Sequence, residues 1–255
     1  SYDYYLVKVL PDGSGLAWPA KTVDFNSAED QITAVAVDGN DDIIAKRELF
    51  LAAWSRHYGY GTEASLIDYR PANIVTELDL GQRTVRSEFD AVQGDVLNLI
   101  PPMRAAALTG AVGARTGDDG HWCPVDYTSF ESTVVPHVHI LGDAIQSNLS
   151  KAAALANNGG KLCAYALAEI FAGRAPDPAP VLTSTCYSAS ARGAAFHVAT
   201  VFRYNPAEKS MDVQPGSGLS EHESAVEFKY MRGWAHNIWA DTLALPEGYP
   251  FGNAV

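Results

Sequence analysis

A helix whose interior is almost entirely alanine and glycine can bring its backbone close to a flat neighbour, which a leucine-rich helix cannot do. Residues 150–172 read as such a helix, capped by Ser150 and ended by Gly173. Ala152, Ala153, Ala154, Ala156, Gly159, Gly160, Ala164, Ala166 and Ala168 lie inside it. Just before it stands the run His137-Val138-His139-Ile140-Leu141-Gly142-Asp143-Ala144. Residues 134–141 read as a short apolar strand. The glycine that follows lets a ligand approach bare backbone, while the Asp143 carboxylate accepts hydrogen bonds from ligand hydroxyls. The next helix aims its N-terminus at the same spot and favours negative charge there. A ribityl chain and a pyrophosphate or flavin anion have that chemistry.

The N-terminal half has a recognisable order. Residues 31–37 read as a buried strand ending in the turn Asp38-Gly39-Asn40-Asp41-Asp42. A helix over 45–58 places Leu49, Phe50, Ala53 and Trp54 on one face and stops at Gly59 and Gly61. Residues 74–80 and 84–89 flank Gly81-Gln82-Arg83 as a hairpin, and 95–100 form a further strand closed by Pro101-Pro102. Strand, helix, hairpin and strand in this order make an α/β nucleotide-binding unit with an inserted antiparallel arm. Beyond a Pro-rich linker at 174–180, residues 196–203 alternate as a strand. Asn205-Pro206 and Gly216-Ser217-Gly218 mark turns. A last helix over 224–243 carries Phe228, Met231, Trp234, Ala235, Ile238 and Trp239 on one side.

Composition removes several functions. The 255 residues are 47% hydrophobic, enough for a sizeable core. Thirty acidic against 18 basic residues give a net charge of −12, so no cationic footprint for nucleic acid exists. No apolar run reaches the roughly 20 residues of a membrane span. Cys123, Cys163 and Cys186 have neither CxxC nor Cys/His spacing, and no metal site is expected. His137 and His139 read as strand-end packing residues. The chain opens at Ser1 without a basic-then-apolar leader, so its first residues set no compartment.

Four segments, taken together, point further. They are Phe50-x3-Trp54-x-Arg56-x-Tyr58-Gly59-x-Gly61-Thr62-Glu63, Asn98-Leu99-Ile100-Pro101-Pro102-x-Arg104-Ala105, Trp122-Cys123-Pro124-Val125-Asp126 with Phe130-Glu131-Ser132, and Thr185-Cys186-Tyr187-Ser188. With residues 139–144 between the last two, and Trp234-x2-Asn237-Ile238-x2-Asp241-Thr242 after them, the chain resembles the flavin-binding subunit of flavocytochrome c sulfide dehydrogenase, a relative of sulfide:quinone oxidoreductases. The likeness runs over about residues 32–244. It implies an α/β flavoprotein with FAD held between two Rossmann-like dinucleotide-binding domains. It also implies a C-terminal α+β domain that meets a c-type cytochrome subunit, and a periplasmic location. The implied division is an unassigned segment 1–30, a second nucleotide-binding-like domain 31–105, part of the FAD-binding domain 106–173 and an interface domain 181–255. The implied activity is sulfide oxidation: sulfide reduces a cysteine pair beside the flavin, electrons enter FAD, and they leave through haem. By position, Gly142, Asp143 and Ala144 match a flavin contact, and Lys151 falls near the flavin ring. Cys186 matches a redox cysteine, and Trp234 an aromatic residue on the haem side.

The departures are specific. No GxGxxG follows a first strand, because Gly13-Ser14-Gly15 runs into Leu16-Ala17-Trp18. The family's second redox cysteine and its flavin-tethering cysteine are missing. Residues 1–5 read as the remnant of an earlier strand. A second reading therefore stands beside the first: a truncated or degenerate structural subunit of the same fold that binds no flavin tightly.

Overall fold

The structure, a computed structural model, describes strands 3–9 and 32–38 and residues 46–70, 74–100, 102–116 and 120–243. The chain divides into two compact units. The first contains residues 1–103 together with 189–196 and 222–226, and the second contains the rest.

In the first unit, β1 (Asp3–Val9) and β2 (Ile32–Asp38) are followed by α1 (Arg47–Tyr58) and β3 (Ile67–Arg70). Then come β4 (Val75–Asp79), β5 (Thr84–Ser87), β6 (Ala91–Gln93) and β7 (Val96–Ile100). One sheet has the order β3-β1-β2-β7 and the other β4-β5-β6. β2 and β7 pair in parallel, which a strand-helix-strand crossover through α1 provides. β1 runs antiparallel to both β2 and β3, so the sheet is mixed. The expected hairpin forms between β4 and β5, with Arg83 in the left-handed region at φ 51°. Most of the turn expected at 38–42 lies outside the described residues. The helix begins two residues later than the sequence suggests and ends at Gly59, whose φ of 67° lets its N–H return to the Trp54 carbonyl. Trp54 meets Tyr60 and Tyr69 edge-on, and Phe50 meets Phe196 at 4.9 Å. Val85 fills a separate small core with Val75, Val92, Leu97 and Leu99.

The second unit contains a short α2 (Ala107–Ala111), a single 3-10 turn at Gly142–Ala144 and α3 (Ala153–Phe171). β8 (Val181–Ala191), β9 (Ala194–Asn205), β10 (Ser210–Val213), β11 (Gly218–Leu219) and α4 (Ala225–Leu243) complete the chain. Residues 189–196 of the β8–β9 hairpin belong to the first unit. β9 is the centre of its sheet, pairing with β8, β10 and β11. Cys123, Tyr127, Phe130, Ile145, Leu155, Leu182, Phe202 and Met211 share one buried core. Among the described residues, no helix is long and apolar enough to cross a membrane.

Three local expectations are corrected. Residues 134–141 are an irregular loop, not a strand, whose backbone pairs with neighbours through isolated bridges such as Glu131 with His139. Pro136 has no N–H to give a ladder, and His137 sits at φ 64°. Ser150 does not cap α3. The helix starts after Ala152, which is extended and makes no side-chain cap, so Ser150 lies two residues outside the capping position. Trp239 is exposed, whereas Phe228, Met231, Trp234, Ala235 and Ile238 are half-buried, since five positions on a helix turn a side chain well off the shared face.

A buried carboxylate ties the first unit together. Glu223 Oε1 accepts from Arg56 Nη1 and meets His57 Nε2, both at 2.7 Å, and its side chain is 7% exposed. Burial pushes its carboxyl up, but Ser190, His57 and Arg56 outweigh this and hold it below the ordinary carboxylate value. A lowered folded pKa stabilises the fold above the unfolded value, and that contribution disappears as pH falls through the folded one. Glu223→Gln should cost about 1–3 kcal/mol at neutral pH. In urea unfolding, the gap between parent and variant should close as pH falls below the ordinary carboxylate range.

Candidate functional site

The second unit has a pocket where the sequence places its flavin contact. Phe130, Gly142, Asp143, Ile145, Ser147, Leu149, Ser150, Lys151, Leu155 and Leu182 line about 290 Å³ of empty space, counting the open mouth. That figure includes open solvent; the enclosed part has room for about one water molecule, so the feature is a shallow notch and not a seat for a dinucleotide.

Gly142 is essential to its shape for two reasons. Its φ is 64°, a conformation that side chains resist, and a Cβ there would lie 3.1 Å from Ala156 Cβ in the first turn of α3. The small-residue helix therefore does pack closely, onto the glycine loop at one point and onto Phe130 at another. A Cβ on Gly159 would sit 3.4 Å from the Phe130 ring. Phe130 is 1% exposed and occupies the left-handed region at φ 59°, which is strained for an aromatic residue. Its backbone is held from several sides. Its N–H donates to the Asp126 carbonyl and its own carbonyl accepts from Ile140, while His139 Nδ1 lies 2.9 Å from the Ser129 carbonyl. The Asp126 carboxylate takes the N–H and hydroxyl of Thr128, both at 2.7 Å. His139 thus fastens a turn.

The charged groups at the mouth behave differently. The Asp143 side chain is exposed and accepts no hydrogen bond among the described residues, so its oxygens remain available to a ligand. Lys151 Nζ donates to the Asp143 and Ile145 carbonyls at 2.7 and 3.2 Å and lies 3.7 Å from the centre of the Trp122 ring. Burial lowers its pKa, with the Asp143 charge opposing. Ala144 is half-buried, and its carbonyl accepts from Cys123 N–H.

The other two expected site residues lie on β8 and α4. Cys123 and Cys163 are buried, and Cys186 is half-buried; none is in a disulfide. Alternation along β8 gives Cys186 the same face as buried Leu182 and Ser184. Leu182 reaches the pocket wall, but Cys186 is not part of the lining. Tyr187 points the other way. Its ring lies 5.4 Å from His197 and 5.8 Å from Trp234, so Trp234 is on the face of β8 opposite Cys186.

A polar cluster that sequence reading missed holds α4 in place. His197 Nδ1 sits 2.7 Å from Glu227 Oε2 and 2.9 Å from Ser220 Oγ, and Ser220 Oγ also donates to Glu227 Oε1 at 3.1 Å. Both partners use the same ring nitrogen, so no proton relay through the imidazole is built. Nothing in the spacing of residues 197, 220 and 227 announces this cluster, since it depends on how β9 meets the first turn of α4. Phe130 was the other omission, although it lies within a segment already singled out.

Gly142→Ala should destabilise the protein by about 1–3 kcal/mol through backbone strain and collision with Ala156. Adding Ala156→Gly should recover part of that loss in thermal unfolding, because it removes the collision and leaves the strain. No recovery would mean that close packing is not what selects glycine.

Residues 21–101 match the family described as sulfide dehydrogenase [flavocytochrome c] flavoprotein chain, central. Residues 178–243 match flavocytochrome c sulphide dehydrogenase, flavin-binding. Cys186 and Trp234 fall in the second match, and the pocket residues 142–151 lie between the two. Similar solved structures include a chain of the mitochondrial ATP synthase F1Fo composite tetramer of Tetrahymena thermophila. It shows 12% identity and a TM-score of 0.47 over 71% of this chain and 44% of that one. Another is the sulfide:quinone oxidoreductase of the hyperthermophilic bacterium Aquifex aeolicus, at 10% identity and a TM-score of 0.46 over 72% and 44%. The chain thus spans less than half the length of either. Two domain models of one flavoprotein are thus matched in chain order, and over those residues the chain is similar to the flavocytochrome c sulfide dehydrogenase flavoproteins.

Proposed function

We propose that this chain supplies part of an FAD site, with a thiol near it, to a Rossmann-like periplasmic flavoprotein that oxidises sulfide and passes electrons to a c-type cytochrome. One observation carries the reading. The match described as flavin-binding begins just before β8, and Leu182 of that strand closes the wall of the pocket built by Gly142, Asp143 and Lys151. The match and the pocket share Leu182, which supports the reading.

The residues present suit a flavin. Gly142 offers unshielded backbone, and the Asp143 carboxylate is free to accept from ribityl hydroxyls. Ser147 and Ser150 add hydroxyls at the rim, and Phe130, Leu149, Leu155 and Leu182 give the apolar wall. When bound, flavin would supply acceptance of two electrons. Lys151 contributes a fixed positive charge beside the site. Cys186 is the thiol that sulfide chemistry calls for, on the pocket-facing side of β8, and Trp234 with Tyr187 forms aromatic packing on the other side.

Purified protein titrated with FAD should acquire flavin absorption in the visible. Asp143→Ala should weaken binding by about 1–3 kcal/mol, the scale of a lost charged hydrogen bond. Cys186→Ser should keep flavin bound but abolish its reduction by sulfide. Parent protein that takes up no flavin would overturn the proposal in favour of a structural subunit of the same fold. Unchanged reduction in Cys186→Ser would remove that thiol from the chemistry.

A further inference from the structure

Lys151 would ordinarily be read as a cation held out for a ligand, but its surroundings leave little of it to offer. An ammonium group has three N–H bonds. Two directions are taken by the main-chain carbonyls of Asp143 and Ile145, and the indole face of Trp122 lies 3.7 Å from Nζ on another side. The carbonyls belong to the middle residue of the turn Gly142–Ala144 and to the residue that follows it. Lys151 itself sits two residues ahead of α3; Ala152, between them, is extended, and no side chain caps the helix. The ammonium therefore bridges the glycine loop to the start of the helix, and the half-buried ring beneath it fixes where it can sit.

We infer that Trp122 is a positioning residue: by holding the Lys151 ammonium over its ring, it keeps the loop from Asp143 to Ile145 in the shape that presents Gly142 backbone and the Asp143 carboxylate to the ligand. This rests on the flavin reading of the pocket for its ligand, but not for the bracket itself. The neighbouring segment supports it. Cys123, next to Trp122, is wholly buried and exchanges main-chain hydrogen bonds with the same turn: its N–H donates to the Ala144 carbonyl and its carbonyl accepts from Gln146. The indole is thus anchored by its own backbone to the loop that it helps to shape. An aliphatic side chain at position 122 would fill space but offer no negative ring face to a cation. A cation over a ring in partly desolvated surroundings gains more than one in water, and burial partly desolvates the Lys151 ammonium.

The test uses Trp122→Leu and Trp122→Phe in the full chain, first without added flavin. Labelling of Lys151 by an amine-acylating reagent, read by mass spectrometry, should quicken about three- to tenfold in Trp122→Leu, the scale of one lost cation–π contact. Amide hydrogen exchange over 143–146 should rise with it. Trp122→Phe, which keeps a ring, should fall between parent and Trp122→Leu in both measurements, and serves if the leucine variant fails to fold. FAD affinity should then drop severalfold in the same order. Labelling and exchange equal to the parent in a folded variant would overturn the bracket. Faster labelling and exchange with unchanged FAD affinity would overturn its role in shaping the site. A parent that binds no FAD, yet whose Lys151 labelling depends on Trp122, would refute the flavin reading and leave the bracket standing.

Discussion

The glycine loop and the helix beside it meet only because neither side of the contact carries bulk. Ala156 occupies the space that any larger residue on α3 would need, and Gly142 takes a left-handed turn that a side chain would resist. That approach fixes how far the turn at Gly142–Ala144 stands from the helix, and the carbonyls taken by Lys151 then fix its tilt. Phe130 repeats the arrangement one helical turn later against Gly159. Its left-handed backbone costs on the order of 1–3 kcal/mol, comparable to what burying an aromatic ring returns. The strain persists because hydrogen bonds from the Asp126 turn and Ile140 leave the backbone no other place to go.

The polar groups divide their work by burial. Asp143 is exposed with its oxygens open, so it can exchange water for a ligand at little cost. Lys151 is partly desolvated and already committed to main-chain carbonyls, so its charge shapes and biases the site instead of reaching out from it. A positive charge that cannot swing away acts on a neighbouring ligand as a fixed field. Glu223 plays a corresponding part in the first unit, where a buried carboxylate organises Arg56 and His57 on α1.

What the sequence disclosed followed from local rules. The strand at 32–38, the helix ended by Gly59, the hairpin around Arg83 and the small-residue helix were legible because each depends on periodicity or on residues suited to a particular φ. The strand expected at 134–141 failed on the same local ground, since Pro136 should have weighed against it. The antiparallel direction of β1 and the pairing of β3 beside it depend on long-range register, for which residues 1–10 contain no signal. Gly142 and Asp143, which line the pocket, stand out in the sequence by their own chemistry. Phe130 and Trp122 were visible only as parts of a resemblance, because their roles lie in what they press against.

The register of β8 is the remaining constraint. Successive residues face opposite ways, so a slip of one position would exchange Cys186 for Tyr187 on the face that carries Leu182 and Ser184. Two independent contacts oppose that slip. Leu182 and Ser184 are buried on one face, and the Tyr187 ring is set against His197 and Trp234 on the other. His197 is in turn held by Ser220 and Glu227, which also secures the first turn of α4. A thiol on the face that carries Leu182 and an aromatic pair on the opposite face are therefore consequences of one registration, which the polar cluster of His197, Ser220 and Glu227 helps to hold.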